Sequence, residues 1–130
     1  MKSLSIFCGS SSGANGKYKD ATHEFGKLLA KRNITLIYGG GSFGLMGVAA
    51  DAVMNSGGKV IGVIPTLLVE KEAAKKNITE LHIVASMQER KAKMMDLSDG
   101  FLILPGGVGT LDELFEVMAF INLKVHKKPC

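Results

Sequence analysis

The segment Pro105-Gly106-Gly107-Val108-Gly109-Thr110-Leu111-Asp112-Glu113 places glycines, a threonine and two acids between two regular patterns. Before it runs the apolar stretch Phe101-Leu102-Ile103-Leu104; after it come Leu111, Leu114, Phe115 and Met118 at helical spacing. A buried strand that turns through glycines into a helix presents free backbone N–H groups and a positive dipole end, which favour an anion such as phosphate. Missing Cβ atoms let the ligand approach the backbone. Glu113 sets a carboxylate beside that cradle, so the expected chemistry is on a phosphorylated small molecule. Thr110-x-x-Glu113 is also a capping box, in which the carboxylate only caps its own helix, and Ser86-x-x-Glu89 repeats the pattern. The pattern leaves both readings open. Asp112 and Glu116 either form a dipole-compatible acidic helix surface or take a direct role in the site.

Arg90 is the second candidate. With Met87 and Met94 it forms an i, i+3, i+7 stripe, so a cation lies on an apolar helix face. A guanidinium there is costly unless it meets an anion, either a protein carboxylate or a phosphate. Lys91 either shares this task or projects to solvent. Cys8 ends an apolar run and reads as a small core residue. His23, His82 and His126 fall on separate elements without ligand spacing, so no metal is expected.

Two further turns are glycine-rich. Gly39-Gly40-Gly41-Ser42-Phe43-Gly44 matches G-x-G-x-x-G between a strand and a helix, but the next strand ends Val63-Ile64-Pro65 without the acid that a dinucleotide ribose requires. Ser11 to Lys17 approaches a P-loop, lacks its first glycine, and has Tyr18 where Ser or Thr would hold magnesium.

The elements that must position these residues alternate. Strands are expected at Leu4–Phe7, Thr35–Tyr38, Val60–Ile64, Leu81–Val84 and Phe101–Leu104. Helices are expected after Gly16 (with Tyr18, Ala21, Phe25, Leu28 and Leu29 on one face), from Leu45 to Asn55, from Met87 to Leu97 and from Leu111 to Leu123. This is an α/β pattern: a Rossmann-like, doubly wound parallel sheet with helices on both faces. All three glycine turns then fall at one carboxyl edge, where such sheets bind ligands.

At 130 residues, 46% hydrophobic and 22% charged, the sequence is one globular domain without repeat or linker. No apolar run reaches membrane-spanning length, and Met1-Lys2-Ser3-Leu4 does not open a signal peptide. Two cysteines make no disulfide framework, so a cytoplasmic location is expected. The net charge of +4 sits partly in Lys71-Glu72-Ala73-Ala74-Lys75-Lys76 and Lys124-Val125-His126-Lys127-Lys128, read as solvated surface; without interleaved aromatics, neither suggests a nucleic-acid partner. The last helix and the Leu45–Met54 helix carry more apolar surface than one core-facing stripe needs, which predicts a homodimer or larger assembly built on them. His126-Lys127-Lys128-Pro129-Cys130 reads as the approach to another strand, as in part of a longer polypeptide.

Taken together, Cys8-Gly9-Ser10-Ser11, Gly39-Gly40-Gly41-Ser42-x-Gly44-Leu45-Met46-Gly47, Met87-x-x-Arg90-Lys91 and Pro105-Gly106-Gly107-x-Gly109-Thr110-x-x-Glu113 resemble the LONELY GUY (LOG) family. The resemblance implies hydrolysis of the N-glycosidic bond of purine riboside 5′-monophosphates, cytokinin-type or AMP, giving free base and ribose 5-phosphate without a cofactor. It implies a homodimer with sites near the subunit interface. It implies Arg90 and Glu113 as catalytic residues, and Ser10, Gly39, Gly40, Gly41, Met87, Lys91, Gly107, Val108, Gly109 and Thr110 as substrate-binding positions. Relatives are often labelled lysine decarboxylases, yet nothing in the sequence suggests a pyridoxal phosphate site. The competing reading is a non-catalytic nucleotide-binding or cofactor-carrier module, which needs the glycine turns but not the Arg90–Glu113 pair.

Overall fold

The computed structural model describes residues 1–9 and 16–130. Five strands, β1 (Ser3–Phe7), β2 (Thr35–Tyr38), β3 (Val60–Pro65), β4 (Glu80–Val84) and β5 (Phe101–Ile103), alternate with four helices. These are α1 (Lys17–Lys31), α2 (Gly44–Asn55), α3 (Met87–Leu97) and α4 (Val108–Asn122), and a 3-10 turn at Thr66–Leu68 follows β3. All pairings are parallel, in the order β4-β3-β2-β1-β5. The chain winds outward from β1 to β4 and then returns to set β5 on the other side of β1. The strand order therefore reverses between β1 and β5, the place where open α/β sheets bind ligands.

Alternation along the strands fills a core on each face. Leu4, Ile6, Leu36, Tyr38 and Val60 pack with Leu29 and Ala30 of α1 and Leu45, Met46, Ala49 and Val53 of α2. Phe7, Ile37, Val63 and Phe101 pack on the other side with Met94 and Met95 of α3 and Val117 of α4. The expected doubly wound α/β sheet with helices on both faces is what forms.

Two local expectations change. α1 buries Thr22, Gly26, Leu29 and Ala30, while Tyr18 and Leu28 are exposed. Small residues decide its face: a Cβ on Gly26 would lie 2.6 Å from the Ala52 Cβ, so the two helices meet at glycine distance. α2 commits its apolar residues to the sheet and α1, with Leu45, Met46, Ala49, Ala50, Ala52 and Val53 all buried. Those six side chains are used within the chain and are not free for assembly.

The basic run after β3 is not all solvated. Lys75 is buried, its Nζ lies 2.7 Å from Asp51 Oδ1, and its backbone N–H donates to the Gly40 carbonyl.

Candidate active site

At the β1/β5 reversal lies a cavity of about 330 Å³. Cys8 and Gly9 after β1, Gly39 after β2, Leu68, Lys71 and Glu72 after β3, Met87 and Arg90 of α3, and Gly107, Gly109, Thr110 and Glu113 around the α4 start all contribute to its lining. Convergence of these strand ends follows from the topology, because parallel strands present all their carboxyl ends to one edge.

Arg90 is buried on the inner face of α3. Its Nε donates to the Val63 carbonyl at 2.9 Å, its Nη2 donates to the Gly39 carbonyl, and its Nη1 lies 3.6 Å from Glu72 Oε1. The stripe position read from sequence thus meets a protein carboxylate while still lining the cavity. Glu72 escaped the sequence reading because it sits inside a run of lysines. The available signal was an acid shortly after the end of a strand, at the ligand-binding edge of the sheet.

Glu113 enters the same cavity from α4. α4 begins three residues before the expected Leu111: Gly107 occupies the N-cap with extended backbone, and the Leu111 N–H donates to the Gly107 carbonyl. Thr110 is therefore the third residue of the helix and Glu113 the sixth, so the capping-box reading fails here. It holds at the other copy, where Ser86 Oγ accepts from the Glu89 N–H at 3.1 Å and Glu89 Oε2 accepts from the Ala85 N–H at 2.9 Å. Burial pushes the Glu113 carboxyl up to about 7; Asp112 and Glu72 add to the rise, and Arg90 and Lys91 oppose it. A carboxyl poised near neutrality in a cleft is suited to exchange charge or protons with a ligand.

The neighbouring groups behave differently. Burial, then Glu113 and Glu72, push the Cys8 thiol up to about 12, which makes it a neutral lining group rather than a nucleophile. Lys91 pairs with Asp112 at 3.0 Å and Glu116 at 2.9 Å, and those bonds hold its ammonium above the ordinary lysine range. It clasps α3 to α4 and is not among the described cavity-lining residues. Asp112 and Glu116 have that partner rather than a ligand-facing role.

Of the expected ligand-binding positions, Gly39, Met87, Gly107, Gly109 and Thr110 line the cavity. A Cβ on Gly107 or Gly109 would meet nothing within 4 Å, so both face open space at the helix start. Val108 points outward and is 84% exposed. Gly40, at φ +81°, backs onto Ile64, and Gly41 abuts Glu72 while its carbonyl accepts from Tyr38 Oη at 2.9 Å; these two shape the turn from behind. Ser10 lies outside the described residues.

A family model described as "Possible lysine decarboxylase" matches residues 46–130. The "Probable cytokinin riboside 5'-monophosphate phosphoribohydrolase LOGL9" of Oryza sativa subsp. japonica is 53% identical over 129 residues, covering 99% of this chain and 57% of that protein. The chain belongs to the LONELY GUY family. Another LONELY GUY protein, the "Cytokinin riboside 5'-monophosphate phosphoribohydrolase LOG1" of Arabidopsis thaliana, is 51% identical over 99% of this chain and 61% of its own length. The chain thus spans between half and two thirds of these relatives. The molybdenum cofactor carrier protein of Chlamydomonas reinhardtii shares the fold, with a TM-score of 0.76 at 20% identity over 90% of this chain and 70% of its own. As for the decarboxylase label, a pyridoxal phosphate enzyme needs a lysine to form the Schiff base. Among the described lining residues the one lysine, Lys71, is exposed on a turn.

Proposed function

We propose that this chain hydrolyses the N-glycosidic bond of a purine riboside 5′-monophosphate, cytokinin-type or AMP, releasing the base and ribose 5-phosphate. The observation that carries the reading is the meeting of Arg90 and Glu113 in one cavity at the β1/β5 reversal, beside the open glycine start of α4. The names of the relatives quoted above point to the same reaction.

In this reading the phosphate sits against the α4 N-terminus at Gly107, Gly109 and Thr110, where N–H groups and the helix dipole stabilise it. The turn at Gly39 and the Met87 side chain close on the nucleoside. N-glycoside cleavage passes through an oxocarbenium-like state, and the ionised Glu113 carboxylate stabilises that positive charge or activates the attacking water. Arg90 lowers the cost of ionising Glu113 in a desolvated site, acting against the burial that raises it. The carrier reading draws on fold likeness alone, whereas the relatives half identical to this chain are named as hydrolases.

We further propose a homodimer formed through α4, whose Leu111, Phe115 and Met118 are 49%, 61% and 50% exposed. A cytoplasmic location belongs to the same proposal; no helix among the described residues is long and apolar enough to cross a membrane.

The test is chromatography of AMP and of an isoprenylated AMP incubated with the protein. Free base and ribose 5-phosphate are expected, in equal amounts. Unchanged nucleotide bound tightly to the protein would instead support a carrier.

A further inference from the structure

Four charged side chains are among the described residues that line the cavity: Lys71, Glu72, Arg90 and Glu113. Three of them are mutually engaged. Arg90 is bound to two carbonyls and to Glu72, and Glu113 feels both. The exposed ammonium of Lys71 is the remaining positive charge on that wall.

Its backbone lies in a well-held segment, and the residue itself is exposed. The preceding residues form a helical turn, with the Val69 N–H donating to the Thr66 carbonyl and the Glu72 N–H to the Leu68 carbonyl. The following residue is pinned to the second glycine turn, because the Ser42 N–H donates to the Glu72 carbonyl at 3.0 Å. Ala73, at φ +49°, then turns the chain sharply, and its carbonyl accepts from Ser42 Oγ. Lys71 is thereby fixed on the 66–75 wall of the same cavity that the α4 start also lines.

We propose that Lys71 is a specificity residue that recognises the phosphate of the substrate, reaching it from the 66–75 wall of the cavity that the α4 N-terminus also lines. This rests on the reading that the cavity takes a nucleoside 5′-monophosphate. A dianion entering a site whose buried cation already serves Glu72 still needs a positive partner, and a flexible ammonium at the mouth supplies one without the cost of burial. The consequence is discrimination: phosphorylated ligands gain from Lys71, and their unphosphorylated counterparts do not.

The experiment is calorimetric titration of the wild-type chain, Lys71→Met and Lys71→Arg with ribose 5-phosphate and with ribose, neither of which is consumed. Methionine keeps the apolar stem and removes the charge. Ribose 5-phosphate should bind Lys71→Met about tenfold more weakly, an ordinary loss for one charge-assisted contact. Lys71→Arg should stay within about threefold of wild type, and the response to ribose should be the same in all three. In parallel, the KM for AMP should rise in Lys71→Met while kcat holds. Equal affinity of wild type and Lys71→Met for ribose 5-phosphate overturns the proposal, as does an arginine variant no better than methionine. Adenine release by the wild type is scored separately. If it is absent while Lys71-dependent phosphate binding remains, the hydrolase reading falls and this one stands; if the wild type releases adenine but binds no ribose 5-phosphate, this proposal falls and the hydrolase reading stands.

Discussion

Gly39 and Arg90 occupy space that only a glycine at position 39 permits. The Gly39 carbonyl accepts from Arg90 Nη2, and a Cβ on Gly39 would lie 2.1 Å from that nitrogen. The second glycine turn thus serves the guanidinium as much as any ligand. Gly39→Ala should push Arg90 off its carbonyl anchors and loosen its pairing with Glu72. Because the far end of an arginine can move, the stability cost should be about 1–3 kcal/mol. Base release should fall at least about tenfold, because catalysis depends on sub-ångström placement. Denaturant melts together with AMP turnover check both halves.

Glu113 and Glu89 invite a paired test, since only one of them is a cap. Glu113→Gln keeps the shape and removes the charge; turnover should fall roughly a hundredfold or more. Glu89→Gln can still accept from the Ala85 N–H and should leave turnover and melting temperature close to wild type. Equal turnover in the two variants would remove the acid from the proposed mechanism.

The raised Glu113 pKa has a signed consequence for stability. Its ordinary value of 4.5 applies to the unfolded chain and about 7 to the folded one. The folded state therefore holds this proton more tightly, so the group's contribution is fully present below pH 4.5 and is lost as pH rises through 7. Glu113→Gln should be more stable than wild type at pH 8, by up to about 3 kcal/mol, with the difference vanishing toward pH 4. Thermal melts of both proteins across that range measure it. Activity should run the other way, with kcat/KM rising through an apparent pKa near 7 as the carboxylate ionises.

Assembly rests on one helix. Phe115→Glu places a charge in the exposed apolar face of α4 and should convert a dimer to a monomer by light scattering, with the fold retained by circular dichroism. A wild-type monomer at micromolar concentration would contradict the proposed homodimer.

The sequence displayed the sheet, the order of its elements and the clustering of the glycine turns, because period and punctuation are local signals. It also exposed Arg90, whose place on an apolar stripe demanded an anion. It did not display which anion: Glu72 is eighteen positions away, and only the β3–β4 connection folding back over the sheet edge brings the two together. The start of α4 was similarly elusive. Thr110 has good capping chemistry, yet the chain turns helical at Val108, and that start decides between the two open readings by leaving Glu113 in the cavity and not in a capping box.

The connection from Thr66 to Thr79 is long for such a fold, and a long segment over a site suggests a moving cover. Its bonds argue otherwise. The Glu72 and Ala73 carbonyls take Ser42, the Lys75 N–H reaches Gly40, and the Lys75 ammonium reaches Asp51 on α2. Peeling this segment away would break the Gly39–Ser42 turn and strand Arg90 without its acid. The wall is therefore preorganised: a ligand meets a surface whose ordering entropy was spent during folding, and affinity is set by the fit of the incoming molecule rather than by the work of closing a lid.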